Sequence, residues 1–154
     1  MEQRAVSQSR VKSYMRGDRL FLDTNIIIYA YDSSAGEKHK TANGILAEAW
    51  DSGNGVLSTQ VLQEFFDSAT KRIQKPLSVN IAKEIVNDLM SWDIVVNDGE
   101  SVLKAIDLHQ RYHHSFWDSM IIQAAIKSNA VFLLSEDLSD GQIIKGVTIR
   151  NPFS

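Results

Sequence analysis

Val131-Phe132-Leu133-Leu134 is an apolar run without polar alternation, and it constrains the fold more than any other feature. A strand apolar on both sides must be covered on both sides, as in the middle of a parallel sheet. Shorter runs recur at residues 20–22, 56–58, 93–96 and 147–149. Between them the spacing turns helical. Ala42, Ile45, Leu46, Ala49 and Trp50 form one stripe after Gly36, and Leu62, Phe65, Phe66, Ala69 and Ile73 form another that stops before Pro76. Ile81, Ile85, Val86 and Leu89 mark a further helix, and Val102, Leu103 and Ile106 the next. From Trp117 to Ile126 almost no polar face is left, which predicts a helix buried on most sides. Strands alternating with helices imply an α/β fold, a three-layer α/β/α domain with a central parallel sheet.

A length of 154 residues with 44% hydrophobic content fits one domain. The absence of cysteine removes disulfides, thiolate metal sites and cysteine nucleophiles together. No apolar run is long enough to span a bilayer, so the expectation is a cytoplasmic protein with no membrane partner. The net charge of −3 hides an asymmetry. Arg4, Arg10, Lys12, Arg16 and Arg19 outweigh Glu2 and Asp18, so the chain after residue 19 is the more acidic part. Residues 1–17 are accordingly expected to be a basic N-terminal extension, and residues 18–154 the folded domain.

The positions of the acidic residues matter more than their number. Asp23 closes the first apolar run, Glu64 lies in the helix after the second, Asp118 opens the buried helix, and Glu136-Asp137 follow the fourth run. In an open parallel sheet the carboxyl ends of the strands share one edge, where ligands bind. Asp23, Glu64, Asp118 and Asp137 are therefore expected to converge there, with Asp140 a rival for the fourth position. Clustered carboxylate oxygens suit a hard divalent cation such as Mg²⁺, which keeps several waters and leaves room for a substrate phosphate.

Each residue also has a purely structural explanation. Asp23 before Thr24 and Asn25 is a good helix N-cap, and Ser115-Phe116-Trp117-Asp118 is close to a capping box. Glu64 lies nearly opposite its apolar stripe, and Asp137 fits ordinary turn chemistry. Coincidence of all four at matching positions is the weaker explanation. Lys71, Arg72 and Lys75 end the Glu64 helix, either as the usual C-terminal cations or as phosphate contacts. His109, His113 and His114 are accounted for by a cationic helix end. Phe116 and Trp117 are expected in the core rather than as base-stacking platforms.

Four segments together resemble the PIN-domain family. Phe21-Leu22-Asp23-Thr24-Asn25 is similar to its opening motif, and Ser58-Thr59-Gln60-Val61-Leu62-Gln63-Glu64-Phe65 to its second. Ser115-Phe116-Trp117-Asp118-Ser119-Met120-Ile121 resembles the third, and Leu134-Ser135-Glu136-Asp137-Leu138 the fourth. Order and spacing match over about residues 18–152, most nearly in the manner of VapC toxins. The resemblance implies a PIN-like nuclease domain over 18–154 and a Mg²⁺-dependent endoribonuclease, with Mn²⁺ a possible substitute. Its acidic residues would be Asp23, Glu64, Asp118 and Asp137, supported by Thr24, Asn25 and Ser135. It further implies an RNA substrate, a separately encoded antitoxin and a homodimer. The alternatives are a PIN nuclease of RNA processing and a non-catalytic α/β interaction module. A receiver-type domain would need a lysine after the last strands, where only Lys145 is available, and a dehalogenase-type phosphatase would need an Asp where Asn25 stands.

Overall fold

The computed structural model describes residues 17–154. The expected basic extension lies outside the described residues, apart from Gly17. The elements are β1 (Leu20–Leu22), α1 (Thr24–Tyr31), α2 (Glu37–Ser52), β2 (Gly55–Ser58), α3 (Thr59–Lys71), α4 (Val79–Leu89), β3 (Asp93–Val95), α5 (Gly99–Tyr112), α6 (Phe116–Lys127), β4 (Phe132–Leu134), β5 (Ile143–Ile144) and β6 (Val147–Arg150). The strands form one sheet in the order β3-β2-β1-β4-β6-β5. All neighbours are parallel except β5 and β6.

The apolar runs explain the middle of this order. Leu20, Phe21 and Leu22 are completely buried, as are Leu133 and Leu134, and β1 lies directly against β4. Both faces of these strands are thus covered, as a continuous apolar run requires. Helix α1 packs against both α2 and α3, and α4 against α3, while α5 and α6 form a separate pair. The expected three-layer α/β/α arrangement is present. Among the described residues, no helix is long and apolar enough to cross a membrane.

Four details differ from expectation. The strand expected over 93–96 ends at Val95, and Val96 is exposed. β5, only two residues long, was not expected; it folds back on β6 through Lys145 (φ 47°) and Gly146 (φ 86°). Two consecutive positive φ values suit a tight hairpin between twisted strands, so Lys145 is a turn residue. Ile45, expected with Trp50 and Ile81 to exceed what one domain can cover, is fully buried, while Trp50 and Ile81 are exposed as expected. Trp117, expected in the core, is 63% exposed: the buried stretch of α6 begins only at Ser119, and the first turn projects beyond it.

One glycine matters by its missing side chain. Trp92 lies across Gly55 at the start of β2, and a Cβ there would run into its ring. The Trp92 ring is itself braced edge-on by Trp50, with centroids 5.3 Å apart. It therefore has little room to yield. Gly55→Ala should destabilise the fold by about 1–3 kcal/mol through overpacking. A lower denaturant midpoint with an altered tryptophan emission is the expected result, and an unchanged midpoint would refute the close-packing account.

Candidate active site

Strand order reverses between β1 and β4: from β1 the chain moves outward to β2 and β3, then returns to the other side of β1. Such a switch point opens a crevice at the carboxyl ends of the two strands. Asp23 sits there, one residue past β1, with its backbone N–H donating to the Leu134 carbonyl of β4 at 3.0 Å. Its φ and ψ of −69° and 161° are those of an N-cap, and its Oδ1 accepts the Thr24 N–H at 2.7 Å. The capping reading of Asp23 is therefore correct as far as it goes. It does not account for the other oxygen.

Oδ2 of Asp23 accepts a 2.7 Å hydrogen bond from the Ser135 hydroxyl, which is fully buried one residue past β4. The same Ser135 oxygen accepts the Asp137 N–H at 3.2 Å. One hydroxyl thus joins Asp23 to the backbone of Asp137. Thr24 makes the corresponding link on the other side, its Oγ1 donating to Glu64 Oε1 at 2.8 Å. Asn25 donates from Nδ2 to Asp137 Oδ2 at 3.0 Å. Threonine, asparagine and serine are needed here because each offers a donor to a carboxylate without adding charge.

Glu64 reaches this network because β2 passes into α3 without a loop. Ser58 ends the strand and caps the helix, its hydroxyl accepting from Val61 N–H at 3.3 Å. Glu64 is exposed but accepts from Thr24, so it is not simply a solvated-face residue. Asp118 enters on the first turn of α6. The Ser115 hydroxyl accepts the Asp118 N–H at 3.1 Å, but no reciprocal bond to the Ser115 N–H forms among the described residues, so the capping box is incomplete. Its carboxylate remains close enough to Asp23 to act on it through charge.

Two contributors were not evident from sequence. Gln60, buried in the first turn of α3, directs its Nε2 to the Trp117 carbonyl at 3.2 Å and toward Glu64 Oε1 at 3.5 Å. It lies four residues before Glu64, on the same helix face, and that spacing was the available signal. The second is a clamp on Glu136, whose carboxylate takes the Tyr29 hydroxyl at 2.7 Å and the Lys38 ammonium at 2.7 Å. Burial works against its ionisation, but these bonds and the Lys38 charge prevail and hold its carboxyl below the ordinary range. The Glu136 side chain is thereby committed to α1 and α2, leaving Asp137 to face Asn25.

Other sequence candidates fall elsewhere. Asp140 accepts the Asn151 N–H at 3.0 Å and secures the end of β6, so it is not joined to the network. Lys71 and Arg72 both ion-pair with Asp67 at the far end of α3, at 2.8 and 3.5 Å, and Lys75 is exposed beyond them. His109 contacts the His114 carbonyl, His114 contacts Gln142, and His113 terminates α5 with φ 64°, so this trio fixes the α5–α6 turn.

Within the cluster only Asp23 is buried; Asp118 is half-buried, and Glu64 and Asp137 are exposed. Among the described residues, none of Asp23, Glu64, Asp118 and Asp137 has a lysine, arginine or histidine ion-pair partner. Burial pushes the Asp23 carboxyl up to about 6, opposed by the bonds from Ser135 and Thr24 and reinforced by the charges of Glu64 and Asp118. A buried anion among like charges is one that a cation would complement. Among the described residues, no three acidic or histidine side chains close into a ready cage. Mg²⁺ does not require one, since it usually takes one or two carboxylates and retains several waters. The oxygen-only donor set fits such an ion and not a thiolate- or imidazole-seeking one.

The PIN domain family model matches residues 20–139, which include all four of these carboxylates. The chain belongs to the PIN domain family. Comparison with curated protein sequences gives no match. Among solved structures, this PIN domain is similar to a toxin–antitoxin complex from Klebsiella pneumoniae, at 21% identity and a TM-score of 0.61, covering 86% of this chain and 97% of that one. It is also similar to VapC20 of Mycobacterium tuberculosis, a sarcin–ricin loop cleaving toxin, at 17% identity and a TM-score of 0.58, covering 74% and 86%. VapBC2 of Rickettsia felis, bound to a DNA fragment from its promoter, matches at 19% identity and a TM-score of 0.59, covering 86% and 97%. At these identities the likeness is one of fold.

The raised Asp23 carboxyl sets a testable pH dependence for the PIN domain. Between the ordinary value of 3.8 and about 6 the folded state holds a proton that the unfolded chain has lost. Asp23 therefore favours folding below about pH 4, and this contribution is lost as pH rises through about 6. Asp23→Asn removes the charge, while its Nδ2 can donate to Ser135 and its Oδ1 still accepts from Thr24. In metal-free buffer the variant should be the more stable at pH 7 by up to about 3 kcal/mol, with the difference shrinking toward pH 4. Parallel stability–pH curves for the two proteins would contradict the assignment.

Proposed function

We propose that this PIN domain is a divalent-metal-dependent endoribonuclease and the toxin of a type II toxin–antitoxin pair. The observation that carries the reading is a set of carboxylates without cationic partners at the β1–β4 crevice: Asp23, Glu64 and Asp137 are linked by Thr24, Asn25 and Ser135, and Asp118 acts on Asp23 through its charge. The structural relatives support the biological setting: one is a toxin–antitoxin complex and another a toxin that cleaves RNA at the sarcin–ricin loop. An RNA substrate and a separately encoded antitoxin follow for this chain by the same analogy, and the resemblance to VapC toxins adds a homodimer acting in the cytoplasm.

In this reading Asp23, Asp118 and Asp137 hold Mg²⁺, or Mn²⁺ in its place, with Glu64 completing the acidic set. Held there, the ion would offset the negative charge of the scissile phosphate and make a water more acidic, supplying the nucleophile for attack on phosphorus. The protein's own work is to keep the carboxylates aimed. Thr24 holds Glu64, Ser135 holds Asp23, and Asn25 holds Asp137. Groups that orient ligands in this way typically contribute about 10–100-fold. Lys71, Arg72 and Lys75 are assigned to the RNA backbone, a contact for which Lys71 and Arg72 must give up Asp67. They begin roughly 10 Å along α3 from Glu64, at about 1.5 Å per residue.

The test is cleavage of an RNA panel with Mg²⁺ and with EDTA. Asp23→Asn and Asp118→Asn should each abolish cleavage with the fold retained, while Ser135→Ala should lower it by about 10–100-fold. Undiminished cleavage by both aspartate variants would overturn the site. The toxin role is separable from the chemistry. Expression of the active protein alone should arrest growth, and the native cell should yield a small co-purifying inhibitor. Active nuclease that is harmless when expressed and comes without a partner would point to a housekeeping enzyme.

A further inference from the structure

Trp117 is the least expected exposed residue in the molecule. It is 63% exposed, although burying a large aromatic side chain is worth roughly 1.5–3 kcal/mol. It immediately precedes Asp118, so the two Cα atoms are about 3.8 Å apart. Trp117 therefore shares the first turn of α6 with Asp118.

Its mounting is rigid on two sides. Phe116 meets the indole at 71° with ring centroids 5.1 Å apart, an edge-to-face contact that restrains the ring without covering it. The Trp117 carbonyl accepts from Gln60 Nε2, the amide that also reaches toward Glu64. Reversing that amide would turn its oxygen against two acceptors, so its orientation is set. Gln60 thereby ties the backbone beneath the indole to the acidic cluster.

The surroundings favour a nucleobase over a protein partner. Interface cores are depleted of charge, whereas Trp117 is followed directly by partly exposed Asp118 and its carbonyl is held by the amide that also reaches toward Glu64. An exposed aromatic residue beside acidic groups and clear of ion pairs suits a nucleobase. There is also a need for such a contact. With a net charge of −3 and unpaired carboxylates at the crevice, the domain gains little from the phosphate backbone alone. Stacking is indifferent to that charge.

We infer that Trp117 is a stacking platform for an unpaired nucleobase of a single-stranded RNA, positioning the adjoining phosphodiester at the Asp118 side of the acidic cluster. The inference rests on the nuclease reading above and adds to that site a base contact at the start of α6. Stacking is tolerant of base identity, so Trp117 selects unpaired bases rather than a sequence.

The probe is a short labelled adenylate oligoribonucleotide, compared with an abasic oligomer of equal length and charge. Binding is measured on the full chain carrying Asp23→Asn, so that no cleavage intervenes, with and without Trp117→Ala or Trp117→Phe. Trp117→Ala should weaken adenylate binding about tenfold or more and leave abasic binding unchanged, while Trp117→Phe retains most of the affinity. Adenylate binding should also quench tryptophan emission in the parent and not in Trp117→Ala. Equal weakening of both oligomers, or of neither, would overturn the platform while leaving the nuclease reading intact. A shift in dimer dissociation with unchanged adenylate binding would assign Trp117 to a protein contact and overturn it as well. Failure of the Asp23→Asn parent, and of the unsubstituted chain in EDTA, to bind adenylate more tightly than the abasic oligomer would overturn the platform, while the nuclease reading is judged separately by cleavage with Mg²⁺.

Discussion

A carboxylate buried at the end of the central strand, Asp23, is the constraint around which the rest of the crevice is arranged. Burying an anion is expensive unless hydrogen bonds or an opposite charge offset it. Here hydrogen bonds are supplied from two directions, by the first amide of α1 and by the Ser135 hydroxyl beyond β4. No opposite charge is supplied among the described residues, and Glu64 and Asp118 make the deficit larger. The protein therefore holds locally unfavourable electrostatics inside a well-packed sheet. That arrangement is stable because Leu22 and Leu134, the residues just before the crevice, are completely buried and paired to each other.

The supporting residues divide the problem between them. Neutral donors from three segments, Thr24 and Asn25 on α1, Ser135 beyond β4 and Gln60 on α3, aim the carboxylates without cancelling their charge. A lysine in any of these places would stabilise the fold and compete with a metal ion. Lys38 is engaged with Glu136, whose carboxylate is thereby committed away from Asp137. Separation of Glu136 from Asp137 shows how two adjacent acids acquire different roles from their partners alone.

Much of this was legible from the chain. The unbroken apolar runs required strands covered on both faces, and the intervening stripes required helices, because side-chain period and burial are local properties. The four motifs also placed Asp23, Glu64, Asp118 and Asp137 at comparable positions of successive units. Less was legible at the margins. β5 depends on a two-residue turn at Lys145-Gly146 and on pairing with β6, neither of which leaves a periodic signal. Trp117 looked like core because its neighbours along the helix are apolar, but exposure depends on where the helix ends relative to the layers around it.

The sequence by itself determined the layer architecture and the ends of the central strands, since each follows from residue type and local spacing, and it named the acidic candidates without ranking them. It left Asp137 and Asp140 as rivals, and it could not tell Glu64 from a solvated helix residue. Tertiary structure decided both, through side chains far away in the chain: Asn25 reaches Asp137 while Asp140 is occupied by Asn151, and Thr24 reaches Glu64. It also decided the ionisation of Asp23, because the nearness of Glu64 and Asp118 and the loss of water around its carboxyl exist only once β1, α3 and α6 have packed together.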